Sequence, residues 1–410
     1  MDALLRLHDQ SSRRVAGLMS GTSLDGVDAV LATIEGSGTD LSVHQDAFVH
    51  QPYPEALSSL LHRNSTPEHS SVDDLTRLNA RLADVYANAV DRVLDEIGAA
   101  RDELDLVGSH GQTVHHLPEP ADCAGQDVRG TLQIGNPSRL ANRLNVPVVG
   151  DFRSADMALG GQGAPLVPYF DYVTCTAPDE HRGLLNLGGI ANLTVLPAGG
   201  LPTEVRAFDT GPANMVIDAL ANRLFDKPYD PDGRHAAAGT PDHDLLADLL
   251  EGNYFHREPP KSTGREEFGE DYVDRLIGAA QSRSLSAEDT IATATLLTAA
   301  SVYQAYARYI RPAPGEDVAE LHPEQSIDTL IVSGGGVHND TLMGMLENAF
   351  SPIPVRSAAN YGLDADAKEA LCFAVLAHET VNGKPTNLPS VTGASAPTLL
   401  GSISVPHTTA

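Results

Sequence analysis

Twice within 410 residues the chain runs from an apolar segment through a glycine-bearing turn into a second apolar segment. Residues 15–18 and 29–34 flank the run 19–28, whose Gly, Ser, Thr and Asp cannot be helical throughout. Residues 183–187 and 192–196 flank Gly188-Gly189-Ile190-Ala191 in the same manner. Each pair predicts a β-hairpin, and strands alternate with helices after both. Residues 71–97 place Leu75, Leu78, Leu82, Val85, Val93 and Ile97 at three- and four-residue steps behind Ser71, the spacing of an amphipathic helix capped by that serine. Strands are predicted at 104–108 and 146–149, each running directly into a polar cluster, 109–113 and 151–156. Further on come a strand at 205–208, the step Asp209-Thr210-Gly211-Pro212 and a helix over 213–224 with Pro212 near its first position. A helix over 289–310, a strand at 329–332 and helices over 339–350 and 365–381 complete the alternation. Residues 226–240 and 252–269, rich in Pro, Gly and charge, are read as long surface loops. The pattern predicts an α/β fold of two lobes with a cleft between them, and polar clusters at strand ends are where such folds put their sites.

Charge narrows the function. With 55 Asp and Glu against 27 Lys and Arg, the formal net charge is −28, so a nucleic-acid or anionic-membrane binder would repel its own partner. Such acidity suits a salty habitat, or reflects a lysine-poor, arginine-rich genome. The lysines are Lys227, Lys261, Lys368 and Lys384, none in a Walker A context, so a bound phosphate must rely on backbone N–H groups, helix N-termini, Arg or a metal ion. Cys123, Cys175 and Cys372 lie far apart without paired spacing, which predicts a reducing cytoplasm rather than a disulfide framework or zinc ribbon. Neither an export signal nor a membrane-spanning run is read in the chain, and a homodimer is the default expectation.

Three glycine turns can wrap an anion with consecutive N–H groups: Gly21 to Gly26, Gly188-Gly189 and Gly334-Gly335-Gly336. Facing hairpin tips in successive lobes would enclose a triphosphate, with Thr22 and Ser23 bonding phosphate oxygens and Asp25 or Asp28 orienting hydrated Mg²⁺. The run Gly17-Leu18-Met19-Ser20-Gly21-Thr22-Ser23-Leu24-Asp25-Gly26-Val27-Asp28 resembles the phosphate hairpin of anhydro-N-acetylmuramic acid kinases. The likeness continues, in order, through Ser109-His110-Gly111-Gln112-Thr113-Val114, Gly150-Asp151-Phe152-Arg153, Gly160-Gly161-Gln162-Gly163-Ala164-Pro165, Asn186-Leu187-Gly188-Gly189-Ile190-Ala191-Asn192, Phe208-Asp209-Thr210-Gly211-Pro212, Lys261-Ser262-Thr263-Gly264-Arg265-Glu266 and Leu388-Pro389-Ser390-Val391-Thr392-Gly393.

The resemblance implies a two-lobed, actin-like ATPase (ribonuclease H-like) fold closing over ATP and Mg²⁺. Residues 13–150 would form the N-terminal lobe, with a segment of about 385–405 packed on it, and 151–384 the C-terminal lobe. The implied activity converts 1,6-anhydro-N-acetylmuramic acid, ATP and water into N-acetylmuramic acid 6-phosphate and ADP, in recycling of cell-wall fragments. The resemblance assigns ATP to Gly21, Thr22, Ser23, Leu24, Asp25, Gly26, Val27 and Asp28, to Gly188 and Gly189, and to Gly334, Gly335 and Gly336 near adenosine. It assigns the sugar to His110, Gln112, Arg153 and Asp209, Mg²⁺ to Asp25 and Asp209, directly or through water, and general-base catalysis to Asp156. Ser154 and Ala155 stand where the family usually carries further arginines. Lys261 and Arg265 are read either as contacts to the lactyl carboxylate or nucleotide, or as exposed loop cations. The rival readings are an actin-like or chaperone-like ATPase and a kinase acting on a free hydroxyl or carboxylate.

Overall fold

The computed structural model describes residues 7–21, 23–311, 326–361 and 364–407. The chain divides into two compact units, Met1–Thr174 with Ala367–Ala410, and Cys175–Asp366. These divisions fall at 174/175 and 366/367 rather than at 150 and 384, because the helix Lys368–Val381 packs on the first unit's sheet and not on the second's.

The first unit is built on strands β1 (Ser12–Ser20), β2 (Gly26–Glu35), β3 (Ser42–Pro52), β4 (Leu106–Cys123), β5 (Gln126–Ile134), β6 (Val148–Gly150) and, from the far end of the chain, β12 (Ser402–Ser404). β1, β2 and β3 form an antiparallel meander, and β4 and then β6 add parallel to β1 on its other side. β12 closes that edge antiparallel to β6, while β5 folds back on β4. Side chains alternate across a strand, so β1 serves two layers. Ala16 and Leu18 pack into the core formed with the helix Val72–Asp95. Gly17, between them, faces the other way, where an added Cβ would lie 1.9 Å from the carbonyl oxygen of Ala370. Gly108 on β4 meets the carbonyl of Phe373 at 2.0 Å in the same sense. Bare strand glycines thus let the helix Lys368–Val381 lie directly on the sheet, opposite the helix Val72–Asp95. Ser71 caps that latter helix by accepting from the N–H of Asp74.

The second unit repeats the plan. β7 (Arg182–Leu187), β8 (Ile190–Leu196) and β9 (Arg206–Pro212) form the meander, and β10 (Thr329–Ser333) and β11 (Val355–Ser357) add parallel to β7. Both sheets therefore share one order, a three-stranded meander followed by two parallel strands beside its first strand, which is the ribonuclease H-like topology in duplicate. The helix Ala287–Tyr309 is mostly buried against its sheet and starts at Ser286 with a capping box to Asp289.

Several boundaries differ from those read in the sequence. β4 runs to Cys123, so the cluster 109–113 lies inside a strand that leaves the sheet as a two-stranded ribbon with β5. The step Asp209 to Pro212 belongs to β9, and the next helix begins at Asn214, so Pro212 is a strand residue and not the first residue of a helix. The segments 226–240 and 252–269 are not simple surface loops. They hold the short helices Arg234–Ala238, Asn253–His256 and Arg265–Phe268, and they bury Tyr254, Phe255, Lys261 and Phe268.

Candidate active site

In the first unit the parallel pairing of β1, β4 and β6 runs out side by side, and the residues at and just beyond its end are polar. β1 delivers Ser20 and Gly21. Ser20 Oγ sits beneath the hairpin tip between the hydroxyls of Tyr53, at 2.7 Å, and Tyr86, at 3.0 Å. The tip itself is fastened from outside: Tyr53 N–H donates to the Asp25 carbonyl, Ser58 Oγ to the Leu24 carbonyl, and Gln112 Nε2 to the Gly21 carbonyl at 2.9 Å. At Gly21 a Cβ would make only an ordinary contact, with Ser23 Oγ at 3.7 Å, whereas at Gly26 a Cβ would meet the His50 ring at 2.6 Å. Leu24 and Val27 are buried, so what they can offer a ligand is backbone. Ser23 Oγ donates to Asp25 Oδ1, and His50 Nδ1 lies 2.7 Å from Asp28 Oδ1. Thr22 lies outside the described residues.

β4 delivers Ser109, His110 and Gln112, and β6 delivers Asp151. Ser109, His110, Asp151 and Ser154 line a cavity of about 320 Å³, walled on another side by Gln133 and its neighbours on β5. That volume lies at the small end of the range for ligand sites, roughly 300–1,000 Å³. Ser109 Oγ, His110 Nδ1 and Gln112 Oε1 are buried polar atoms without a hydrogen-bond partner. Buried polar atoms are normally paired; of these three residues, Ser109 and His110 also line the cavity. Asp151 is exposed, holds a left-handed backbone conformation at φ 58°, and accepts from Ser154 Oγ. A non-glycine residue in that region costs energy that neighbouring structure must sustain, and such residues cluster at functional sites.

Asp156 is in a different situation. It is fully buried, its Oδ1 accepts from Asn387 Nδ2 at 2.8 Å and Thr392 Oγ1 at 2.7 Å, and its Oδ2 accepts from Gly163 N–H at 2.8 Å. Gly161 packs so tightly on it that a Cβ there would stand 2.1 Å from Oδ2. This carboxylate ties three chain segments together, a setting unlike that of the exposed Asp151. Arg153 also points inward: Nη1 donates to the Gly163 carbonyl at 2.7 Å, and Nε and Nη2 both donate to His110 Nε2. Burial lowers its pKa to about 10, and it lowers that of His110 well below the usual histidine value, burial being the larger cause there too.

In the second unit β7 and β10 are parallel neighbours, and the glycine turns follow their ends. Gly188 and Gly189 form the β7–β8 tip and accept through their carbonyls from the N–H groups of Asn214, Ala213 and Met215. Gly334, at φ 82°, crosses over Asn186 and Leu187 so closely that a Cβ would meet Asn186 Oδ1 at 2.6 Å. Gly335 is exposed and Gly336 packs on Leu187. Asp209, on β9, accepts from Asn192 Nδ2 at 2.8 Å and from Thr263 N–H at 2.9 Å, and burial raises its pKa despite them. Lys261 is buried between the rings of Tyr254 and Tyr309, with Nζ 4.8 and 5.3 Å from their centres, and burial draws its pKa down to about 8. It is thus no exposed loop cation. Among the described residues no three His, Cys, Asp or Glu side chains converge to hold a metal ion, and no helix is long and apolar enough to cross a membrane.

Sequence reasoning placed Asp151 in a polar cluster at a strand end but gave it no role of its own. It passed over the pair that secures Asp156, Asn387 and Thr392, whose distance along the chain leaves no local signal. Comparison with known proteins gives a consistent result. A family model described as anhydro-N-acetylmuramic acid kinase matches residues 13–406. The chain is 74% identical to an anhydro-N-acetylmuramic acid kinase of Salinibacter ruber over 99% of this chain and 100% of that one. It is 41% identical to the protein of that name from Caldanaerobacter subterraneus subsp. tengcongensis, over 99% and 100%. A solved ROK family glucokinase from Streptomyces griseus is more distant, at 12% identity and a TM-score of 0.38 over 89% of this chain and 99% of that one. From the match across both units, the chain belongs to the anhydro-N-acetylmuramic acid kinase family and is a kinase.

Proposed function

We propose that the protein opens 1,6-anhydro-N-acetylmuramic acid with water and phosphorylates the freed O6 from ATP, giving N-acetylmuramic acid 6-phosphate and ADP, in cytoplasmic recycling of cell-wall fragments. An anhydro sugar has no free 6-hydroxyl, because O6 is bound to C1. Water attacking C1 expels O6, and that oxygen attacks the γ-phosphorus as it leaves. C1 gains positive charge in the transition state, so a carboxylate that takes the water's proton also stabilises the sugar, as in inverting glycosidases.

The observation that carries this reading is Asp151: exposed, left-handed, accepting from Ser154 Oγ, and lining a cavity together with Ser109 and His110, each of which also holds a buried polar atom without a partner. We assign the general base to Asp151, and sugar hydroxyl or N-acetyl contacts to Ser109, His110 and Gln112. The hairpin N–H groups of residues 21–28 and 188–189 bind phosphate, and the run 334–336 receives adenosine against backbone. Mg²⁺, when bound, would disperse charge on the transferring phosphoryl group. Asp25, whose Oδ1 accepts from Ser23 Oγ, would hold it through water. The test is ADP release by purified protein with Mg-ATP. Anhydro-N-acetylmuramic acid should elicit it and N-acetylmuramic acid, which has a free 6-hydroxyl, should not. The reverse preference would replace this reading with an ordinary sugar kinase.

A further inference from the structure

Arg153 stands beside the cavity yet spends its guanidinium on protein atoms. Nε and Nη2 donate to one atom, His110 Nε2, at 3.1 and 2.8 Å, and Nη1 donates to the Gly163 carbonyl at 2.7 Å. A guanidinium has donors only, so the nitrogen it faces must be an unprotonated acceptor. The proton of a neutral His110 therefore sits on Nδ1, the atom that is buried without a partner. Phe373 packs against the ring, with centroids 4.6 Å apart.

We infer that Arg153 is a positioning residue that locks His110 in its Nδ1–H tautomer, so that the imidazole meets a ligand in the cavity as a neutral hydrogen-bond donor. Its identification of that ligand with the anhydro sugar rests on the proposed function; the lock itself does not. The role differs from direct sugar binding by Arg153. It also excludes His110 as a base, because its acceptor lone pair is consumed and burial beside a cation disfavours a second proton. The titratable and charged groups that act on the pair are Arg153 itself and, interacting with Arg153, Glu369 and Cys372 of the helix Lys368–Val381 and His116 of β4. The Gly111 backbone pulls the histidine pKa upward more weakly, without satisfying Nδ1.

Selective ¹⁵N-histidine labelling of the full chain, with His110 assigned from the spectrum of His110→Gln, reads the tautomer directly. Wild type should show a protonated Nδ1 and a bare Nε2, with no titration across the neutral range. A protonated Nε2, or a ring that titrates near the ordinary histidine value, would overturn the inference without recourse to any variant. In Arg153→Met the Nε2–H form should appear, and the KM for the anhydro sugar should rise about tenfold with a smaller change in kcat, the scale of one lost hydrogen bond. Arg153→Lys, which restores a donor, should recover most of both. An unchanged tautomer in folded Arg153→Met would refute the lock. If the wild-type tautomer is as stated but no sugar-dependent ADP appears, the proposed substrate falls and the lock stands.

Discussion

Replacing Asp156 with Asn separates a structural carboxylate from a chemical one. The side chain is fully buried and accepts at both oxygens, from Asn387 Nδ2 and Thr392 Oγ1 on one and Gly163 N–H on the other. An amide in its place puts an NH₂ group against a donor whichever way it is turned. Facing Gly163, it opposes a backbone N–H; facing Asn387, it opposes another amide. Hydrogen bonds to a charged acceptor contribute about 1.5–3 kcal/mol each, and a buried donor left unpaired costs about 1–3 kcal/mol. Losing one bond outright and weakening the others gives a destabilisation of about 3 kcal/mol. For a unit of roughly 200 residues this lowers Tm by about 6–12 °C. Turnover per folded molecule should fall only a few-fold. Asp151→Asn should do the opposite: Tm within about 2 °C of wild type, as for an exposed position, and kcat lower by about 10²–10⁴, the usual worth of a general base. Differential scanning fluorimetry beside a coupled ADP assay reads both. An Asp156→Asn protein that melts like wild type and is inactive would refute the reasoning, and so would an Asp151→Asn protein with normal turnover.

Gly108→Ala would place a methyl group 2.0 Å from the Phe373 carbonyl, lifting the helix Lys368–Val381 off β4. It should cost about 3 kcal/mol or more by denaturant titration, with weaker sugar binding through the displaced Phe373 ring. Ser20→Ala removes the hydroxyl between Tyr53 and Tyr86 under the first hairpin tip; about 1–2 kcal/mol of stability and a several-fold rise in the KM for ATP are expected in melting and steady-state assays. His378, buried, accepts from Arg13 Nη1 at Nδ1, lies 2.9 Å by Nε2 from the Gly36 carbonyl, and has its pKa lowered from 6.5 to about 4, chiefly by burial. Between those values the unfolded chain binds the proton and the folded chain does not, so stability should fall as pH drops through this window and level off below it. In His378→Gln, Tm should vary less with pH between 6.5 and 4 than in wild type.

What the sequence made legible was set by short-range patterning. The two hairpins were readable because apolar runs flank turns that Gly, Ser and Asp dominate, and the helix Val72–Asp95 because its apolar residues keep helical spacing behind a serine cap. The ribbon of β4 with β5 was not, since residues 115–129 are largely exposed and lack the apolar alternation of a half-buried strand. Within the candidate site, motif reading reached the segment 151–156 but not the different settings of its two carboxylates. Asp151 and Asp156 differ in setting: one follows a strand at a left-handed residue, and the other lies in the helix Ser154–Ala158, beneath partners 231 and 236 positions away. No local pattern encodes such a partner. The same holds for Arg153, whose charge suggests a ligand contact but whose donors are claimed by His110 and Gly163.

Isotope tracing addresses the chemistry itself. With Mg-ATP and anhydro-N-acetylmuramic acid in ¹⁸O-labelled water, quenched before the anomeric hydroxyl exchanges, heavy oxygen should be found on C1 of the product, with O6 and the phosphate unlabelled. Label in the phosphate, or a phosphorylated sugar with no label at C1, would contradict a mechanism in which water breaks the internal acetal and the oxygen it releases takes the phosphoryl group.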